Sequence, residues 1–161
     1  MVTNAMRFRV LSLALLTAAL AAPAPLTGQK TPEQTDKKIG KWKLRAEAPA
    51  TGTREYDDRG CGVTVSIRQG VNARGQAYYS SYAAKVDGKE YPRFVKGSTA
   101  INTIAFTQVD ADTVAYTLRE DGKITSTGTT NVSKDGKALT VTTKGVNATG
   151  PGNPEIYDRI P

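Results

Sequence analysis

The residues able to do chemistry are few. The 161-residue chain has no His and one Cys. Without His it lacks the usual general base at neutral pH, the Ser-His-Asp and Cys-His arrangements, and most zinc sites. A single Cys excludes an intramolecular disulfide and any CxxC site. The densest acidic group is Glu55-Tyr56-Asp57-Asp58. In a strand, Glu55 and Asp57 would share one face and Asp58 the other, so two carboxylates at most converge, and Arg54 and Arg59 compete for them. The spacing of an EF-hand is absent, and a solvated hairpin end is preferred over calcium binding. Cys61 lies between Gly60 and Gly62. The favoured reading is an inert thiol packed as a small hydrophobe. The alternative is an exposed thiol that links two chains in an oxidising compartment. As a nucleophile Cys61 would have no base to activate it. No catalytic residue, metal-ligand set or cofactor is therefore expected, and the chain does not read as an enzyme.

The ends of the chain set compartment and charge. Met6-Arg7-Phe8-Arg9 followed by the apolar run Val10 to Ala22 reads as a signal peptide, with Ala19-Leu20-Ala21 as a small-x-small cleavage site. The run is shorter than the roughly 20 residues a bilayer span requires, so no transmembrane anchor is expected. Residues 1–21 are thus assigned to a cleaved leader and the protein to the periplasm or the medium. Removing the leader takes away Arg7 and Arg9 and no acidic residue, so the net charge of +7 falls to +5. Residues 22–38 read as a flexible lead-in, with a short helix over Pro32 to Lys38 capped by Thr31. Lys30, Lys37, Lys38, Lys41, Lys43 and Arg45 make the start of the mature chain basic, yet Glu33 and Asp36 dilute it. Solubility accounts for the charge, and no nucleic-acid partner is expected.

Residues 39–161 form one domain of period-two patterning. Val63, Val65 and Ile67 alternate with Thr64, Ser66 and Arg68. Tyr78, Ser80, Tyr82, Ala84 and Val86 share a face, as do Ile104, Phe106 and Gln108. Val114, Tyr116 and Leu118 oppose Thr113, Ala115, Thr117 and Arg119. Ile124, Ser126, Gly128, Thr130 and Val132 alternate with Thr125, Thr127, Thr129 and Asn131, and Ile156, Asp158 and Ile160 oppose Tyr157 and Arg159. Asp87-Gly88-Lys89, Asp121-Gly122-Lys123 and Asp135-Gly136-Lys137 repeat one turn signal between such runs. The pattern predicts an all-β, up-and-down antiparallel barrel of about eight strands. Tyr78, Tyr82, Phe106 and Tyr116 fall on inward faces together with Ser80, Gln108, Ser126 and Thr130. So many hydroxyls suit a cavity better than a solid core, since each one left unpaired costs about 1–3 kcal/mol.

Gly40-Lys41-Trp42-Lys43-Leu44 resembles the G-x-W that opens lipocalin and fatty-acid-binding barrels. With the D-G-K turns, the hairpin from Thr127 to Gly145 and the terminal Ile156-Tyr157-Asp158, the stretch from Ile39 to Tyr157 is similar to exported bacterial lipocalin-like proteins of unknown function. The resemblance implies that Trp42 packs at the closed end of a barrel under a basic side chain of the last strand, for which Arg159 is the candidate. It also implies a small hydrophobic or amphipathic ligand inside. Tyr78, Tyr82, Phe106 and Tyr116 would contact its body, and Tyr157 or Arg159 its polar head. The alternative is a filled barrel serving as a structural or protein-interaction module of the cell envelope. The expected state is a monomer, with a Cys61-linked dimer as the variant.

Overall fold

The computed structural model describes residues 36–161, so the leader, and the lead-in and expected helix up to residue 35, lie outside the described residues, while Asp36–Lys38, the end of both, form a turn rather than helix. Ten strands follow one another: β1 (Gly40–Leu44), β2 (Thr51–Asp58), β3 (Thr64–Val71), β4 (Ala77–Ala84), β5 (Glu90–Val95), β6 (Asn102–Gln108), β7 (Thr113–Glu120), β8 (Lys123–Val132), β9 (Ala138–Gly145) and β10 (Asn153–Ile160). Each pairs antiparallel with its sequence neighbours, and β1 pairs with β10 to close the barrel. Among the described residues there is no helix, and none long and apolar enough to cross a membrane.

The strand count corrects the expected eight. The additional strands are β2 and β5, where an arginine takes an inward position and hydrophobicity does not alternate. In β2 the inward residues are Arg54 and Tyr56, between outward Glu55 and Asp57, so no apolar alternation marks it. In β5, Pro92 interrupts the backbone donors while Arg93 faces inward. The count matters physically. Barrel diameter grows with strand number, and about eight strands already bring opposite walls to the distance that side chains can fill. Ten strands leave room.

Turn chemistry follows the sequence. Asp121 and Gly122 have φ of 48° and 76°, the left-handed pair that a two-residue hairpin between β7 and β8 demands. The Asp135 carboxylate accepts the Lys137 N–H at 3.1 Å, and Asp87 does the same for Lys89 at 3.1 Å. In the β3–β4 turn the Asn72 side chain accepts the N–H groups of Arg74 and Gln76 at 2.9 and 3.0 Å. A register shift between Leu118 and Arg119 disturbs the β7–β8 ladder. Ile124, beyond that shift, is exposed rather than sharing the inward face of Ser126.

The apolar core occupies the end of the barrel where β1 begins. Trp42, Tyr56, Val114, Val132, Leu139, Val141 and Tyr157 are buried there with Phe106 and Ile104. The Trp42 indole N–H donates to the Lys38 carbonyl at 2.9 Å, and the Arg159 guanidinium lies 4.2 Å from its ring. Arg159 donates in turn to the carbonyls of Gly136 at 2.7 Å, Ile39 at 2.9 Å and Lys37. One side chain thus ties the approach to β1, the β8–β9 turn and β10 around the indole.

Two aromatic side chains lie across glycines on neighbouring strands. Tyr116 is paired with Gly128, and Tyr78 with Gly70. A Cβ at Gly128 would stand 2.4 Å from the Tyr116 hydroxyl and 2.1 Å from the Thr142 carbonyl oxygen, so only glycine lets the ring lie flat there.

Trp42→Ala is expected to destabilise the fold by about 3–5 kcal/mol, since it empties a fully buried aromatic site. Equilibrium unfolding in urea checks this, and an unchanged midpoint refutes the role given to the indole. Gly128→Ala is expected to cost about 1–3 kcal/mol by overpacking against Tyr116 and the β9 backbone. Gly75→Ala, at an open turn position, provides the comparison for backbone strain alone.

Candidate functional site

Above the Trp42 floor, the barrel encloses a cavity of about 380 Å³. Tyr82, Phe106 and Tyr116 line it, with Phe106 5.2 Å from the Tyr82 ring and 6.3 Å from the Tyr116 ring. Ser66, Ser80 and Thr130 contribute hydroxyls, and Ile104 and Leu118 add apolar wall. Gly145 and Asn153 stand at its rim, where β9 ends and β10 begins.

The dominant feature is charge. Arg54 from β2, Arg68 from β3 and Arg93 from β5 all reach the cavity wall, with Glu155 from β10 as the carboxylate among them. Glu155 is held at three points. Its Oε2 accepts from Arg54 Nη2 at 3.2 Å and from the Tyr157 hydroxyl at 2.8 Å, while Oε1 accepts from Arg68 Nη2 at 2.6 Å. The guanidiniums also stack on aromatic faces, Arg54 at 5.1 Å from Tyr157 and Arg68 at 4.3 Å from Tyr78. Such stacking suits a planar, weakly hydrated cation. The Nε donors of Arg54 and Arg68 are buried with no hydrogen-bond partner among the described residues.

These contacts set the protonation states. Burial works against the Glu155 charge, but Arg68 and Arg54 outweigh it and hold the carboxyl below its ordinary range. Burial works against Arg93 as well, and there Arg68 and Arg54 add to it, lowering its pKa. No ion pair or side-chain hydrogen bond holds the Arg93 guanidinium among the described residues. Burial pushes the Tyr82 and Tyr116 hydroxyls up, so both stay neutral donors at physiological pH. Tyr116 donates to the Thr142 carbonyl at 3.1 Å and lies 2.6 Å from Thr143 Oγ1.

The structure thus brings Tyr82, Phe106 and Tyr116 of the expected ligand contacts to one cavity. It does not bring the other three there. Tyr78 lies over Gly52 and Gly70 toward an outer groove and donates to the Thr51 carbonyl at 3.2 Å. Tyr157 is fully buried beneath the cavity with its hydroxyl given to Glu155. Arg159 sits outside the floor, committed to Trp42 and backbone carbonyls. The polar partners in the cavity are instead Arg54, Arg68, Arg93 and Glu155. Strand parity carried the missed signal: Glu155 is two residues before inward Tyr157, and Arg68 two after Ser66.

A second space of about 330 Å³ lies at the end where β1 begins, between Asp36–Lys38, Gln108, Asp110–Asp112, Val114, Thr130 and Val132. The buried Lys38 ammonium is balanced there by Asp36 at 2.8 Å and lies 5.7 Å from the Tyr56 ring. The acidic cluster of β2 is spent on the outer face, with Glu55 facing Lys41 at 3.5 Å and Asp57 facing Arg59 at 2.8 Å. Cys61, expected to be buried, is exposed in the β2–β3 turn. Gly60, Cys61 and Gly62 all take positive φ there, which carries the thiol away from the barrel.

No protein-family model matches the chain, and no curated protein matches it either.

Glu155→Gln is expected to destabilise the barrel at neutral pH by roughly 2–3 kcal/mol, below the full loss for a buried pair because Glu155 is 33% exposed. The depressed carboxyl pKa means that its contribution is present above the unfolded value of about 4.5 and lost as pH falls through the folded one. The stability difference between the two proteins should therefore close on acidification, as thermal melts at neutral and acid pH will show. A constant difference at every pH would refute the ion pairs as its source.

Proposed function

We propose that the protein is an exported, non-enzymatic barrel that binds a small, partly apolar molecule in its interior. The observation that carries this reading is the cavity of about 380 Å³ bounded by Tyr82, Phe106, Tyr116, Ile104 and Leu118 on its apolar side and by hydroxyls and guanidiniums elsewhere. Small-molecule sites are concave, have volumes of about 300–1,000 Å³ and combine apolar wall with polar groups that orient the ligand. A barrel whose role was to be solid would bring its inward side chains into contact, as the Trp42 end does. The similarity of the G-x-W opening and D-G-K turns to exported lipocalin-like proteins agrees with this role, as does the leader read in residues 1–21. The ten strands are a departure from the eight of lipocalin barrels.

Native mass spectrometry of the protein purified from its exported fraction, compared with the denatured sample, should release a bound small molecule. Uptake of the neutral dye N-phenylnaphthylamine, seen as enhanced fluorescence, should be lost in Ser80→Phe and in Leu118→Trp. Both place new bulk at the cavity wall, and neither should move the melting temperature as far as Trp42→Ala does. Undiminished dye uptake in both folded variants would overturn an interior site.

A further inference from the structure

The charges inside the barrel do not balance. Three guanidiniums reach the cavity wall and one carboxylate answers them, so Glu155 leaves an excess of two positive charges. A buried lysine can shed its proton and become neutral, but an arginine cannot under physiological conditions. The excess must be met by solvent or by an anion. Two of the guanidiniums have their positions explained by the protein itself, through Glu155 and the faces of Tyr157 and Tyr78. Arg93 has no such explanation. Half-buried in β5, beside the hydroxyl-bearing wall of Ser66, Ser80 and Tyr82, it has no counter-charge among the described residues and is repelled by Arg54 and Arg68. An unpaired charge taken from water costs stability, and nothing in the fold of β5 requires one there.

Building on the interior-binding reading above, we infer that the ligand is a compact organic anion carrying up to two negative charges. Its charged group is received by Arg93, in the positive field that Arg54 and Arg68 leave beyond Glu155, and its ring or short apolar body lies against Tyr82, Phe106 and Tyr116. Guanidiniums arranged around one point match the oxygens of a phosphate, sulfate or carboxylate. Glu155 has a defined part: it neutralises one charge and holds Arg54 and Arg68 in place, leaving an electropositive pocket rather than a collapsed ion pair. A wall that sets four charged side chains among aromatic rings suits a small ring better than a long alkyl chain.

The test compares phenyl phosphate, phenyl sulfate and benzyl alcohol, which present two, one and no negative charges on one ring, by titration calorimetry at neutral pH and low ionic strength. Phenyl phosphate should bind about tenfold tighter than benzyl alcohol, with phenyl sulfate between, and added salt should narrow the difference. Arg93→Gln should weaken phenyl phosphate about tenfold, leave benzyl alcohol within about twofold, and leave the melting temperature unchanged or raised. Arg93→Lys, which keeps the charge, should retain most of the affinity. Equal affinity for all three compounds would overturn the anion inference and leave the interior site standing. So would binding of none of them while N-phenylnaphthylamine still enters; failure of the dye as well would remove the interior site itself. A lower melting temperature in Arg93→Gln, with charged and neutral compounds weakened alike, would make Arg93 structural and overturn its assigned role.

Discussion

The ladder between β1 and β10, four residue pairs from Lys41 opposite Ile160 to Leu44 opposite Tyr157, turns a ten-strand meander into a ring. Everything inside the protein depends on that closure. An open sheet of this length would expose two rows of unpaired backbone groups and leave its inner face in water. Once closed, the same inward residues are taken out of solvent together. Trp42 secures the junction, because it belongs to β1, donates to the Lys38 carbonyl and is covered by Arg159 of β10. Arg159 in turn holds the turn before β9.

Closure with ten strands also sets what the interior can be. The end that contains Trp42, Leu139, Val141 and Tyr157 packs to full burial. Farther along, opposite walls stand too far apart for these side chains to meet, and the space is lined by long polar ones. Arginine suits such a position, since its stem spans the gap while its planar head can stack on a ring and still donate in the plane. Arg54 on Tyr157 and Arg68 on Tyr78 do this. The two are held by one carboxylate from the far side of β1, so Glu155 joins β2 and β3 to β10 through the interior, as the backbone pairing joins them through β1. Stability and electropositive character thus come from the same group of residues.

Legibility differed from strand to strand for physical reasons. β4, β6, β7 and β9 could be read from the sequence because their inward faces carry aromatic and aliphatic residues, so alternation of hydrophobicity and alternation of facing coincide. In β3 they diverge: Ser66 and Arg68 point inward, while Val65 and Ile67 take the outer face. In β2 and β5 the inward residues include arginines, and hydrophobicity gives no sign of a strand. Of the cavity, Tyr82, Phe106 and Tyr116 were legible, and so were Ser80 and Thr130. The arginines were not, because a charged side chain in a sequence reads as a surface side chain until its partner is known.

The sequence by itself determined the fold class, the hairpin turns and the inward placement of Tyr82, Phe106 and Tyr116. Those properties are local: a strand alternates with period two, and Asp121-Gly122 can adopt a left-handed pair without reference to the rest of the chain. Only the tertiary structure decided the number of strands in the ring, the width of its interior and the meeting of Arg54, Arg68 and Arg93 with Glu155. Arg54 and Glu155 are 101 residues apart, and nothing along the chain between them records their contact. It exists because β1 lies between β2 and β10, and that adjacency is created by closure.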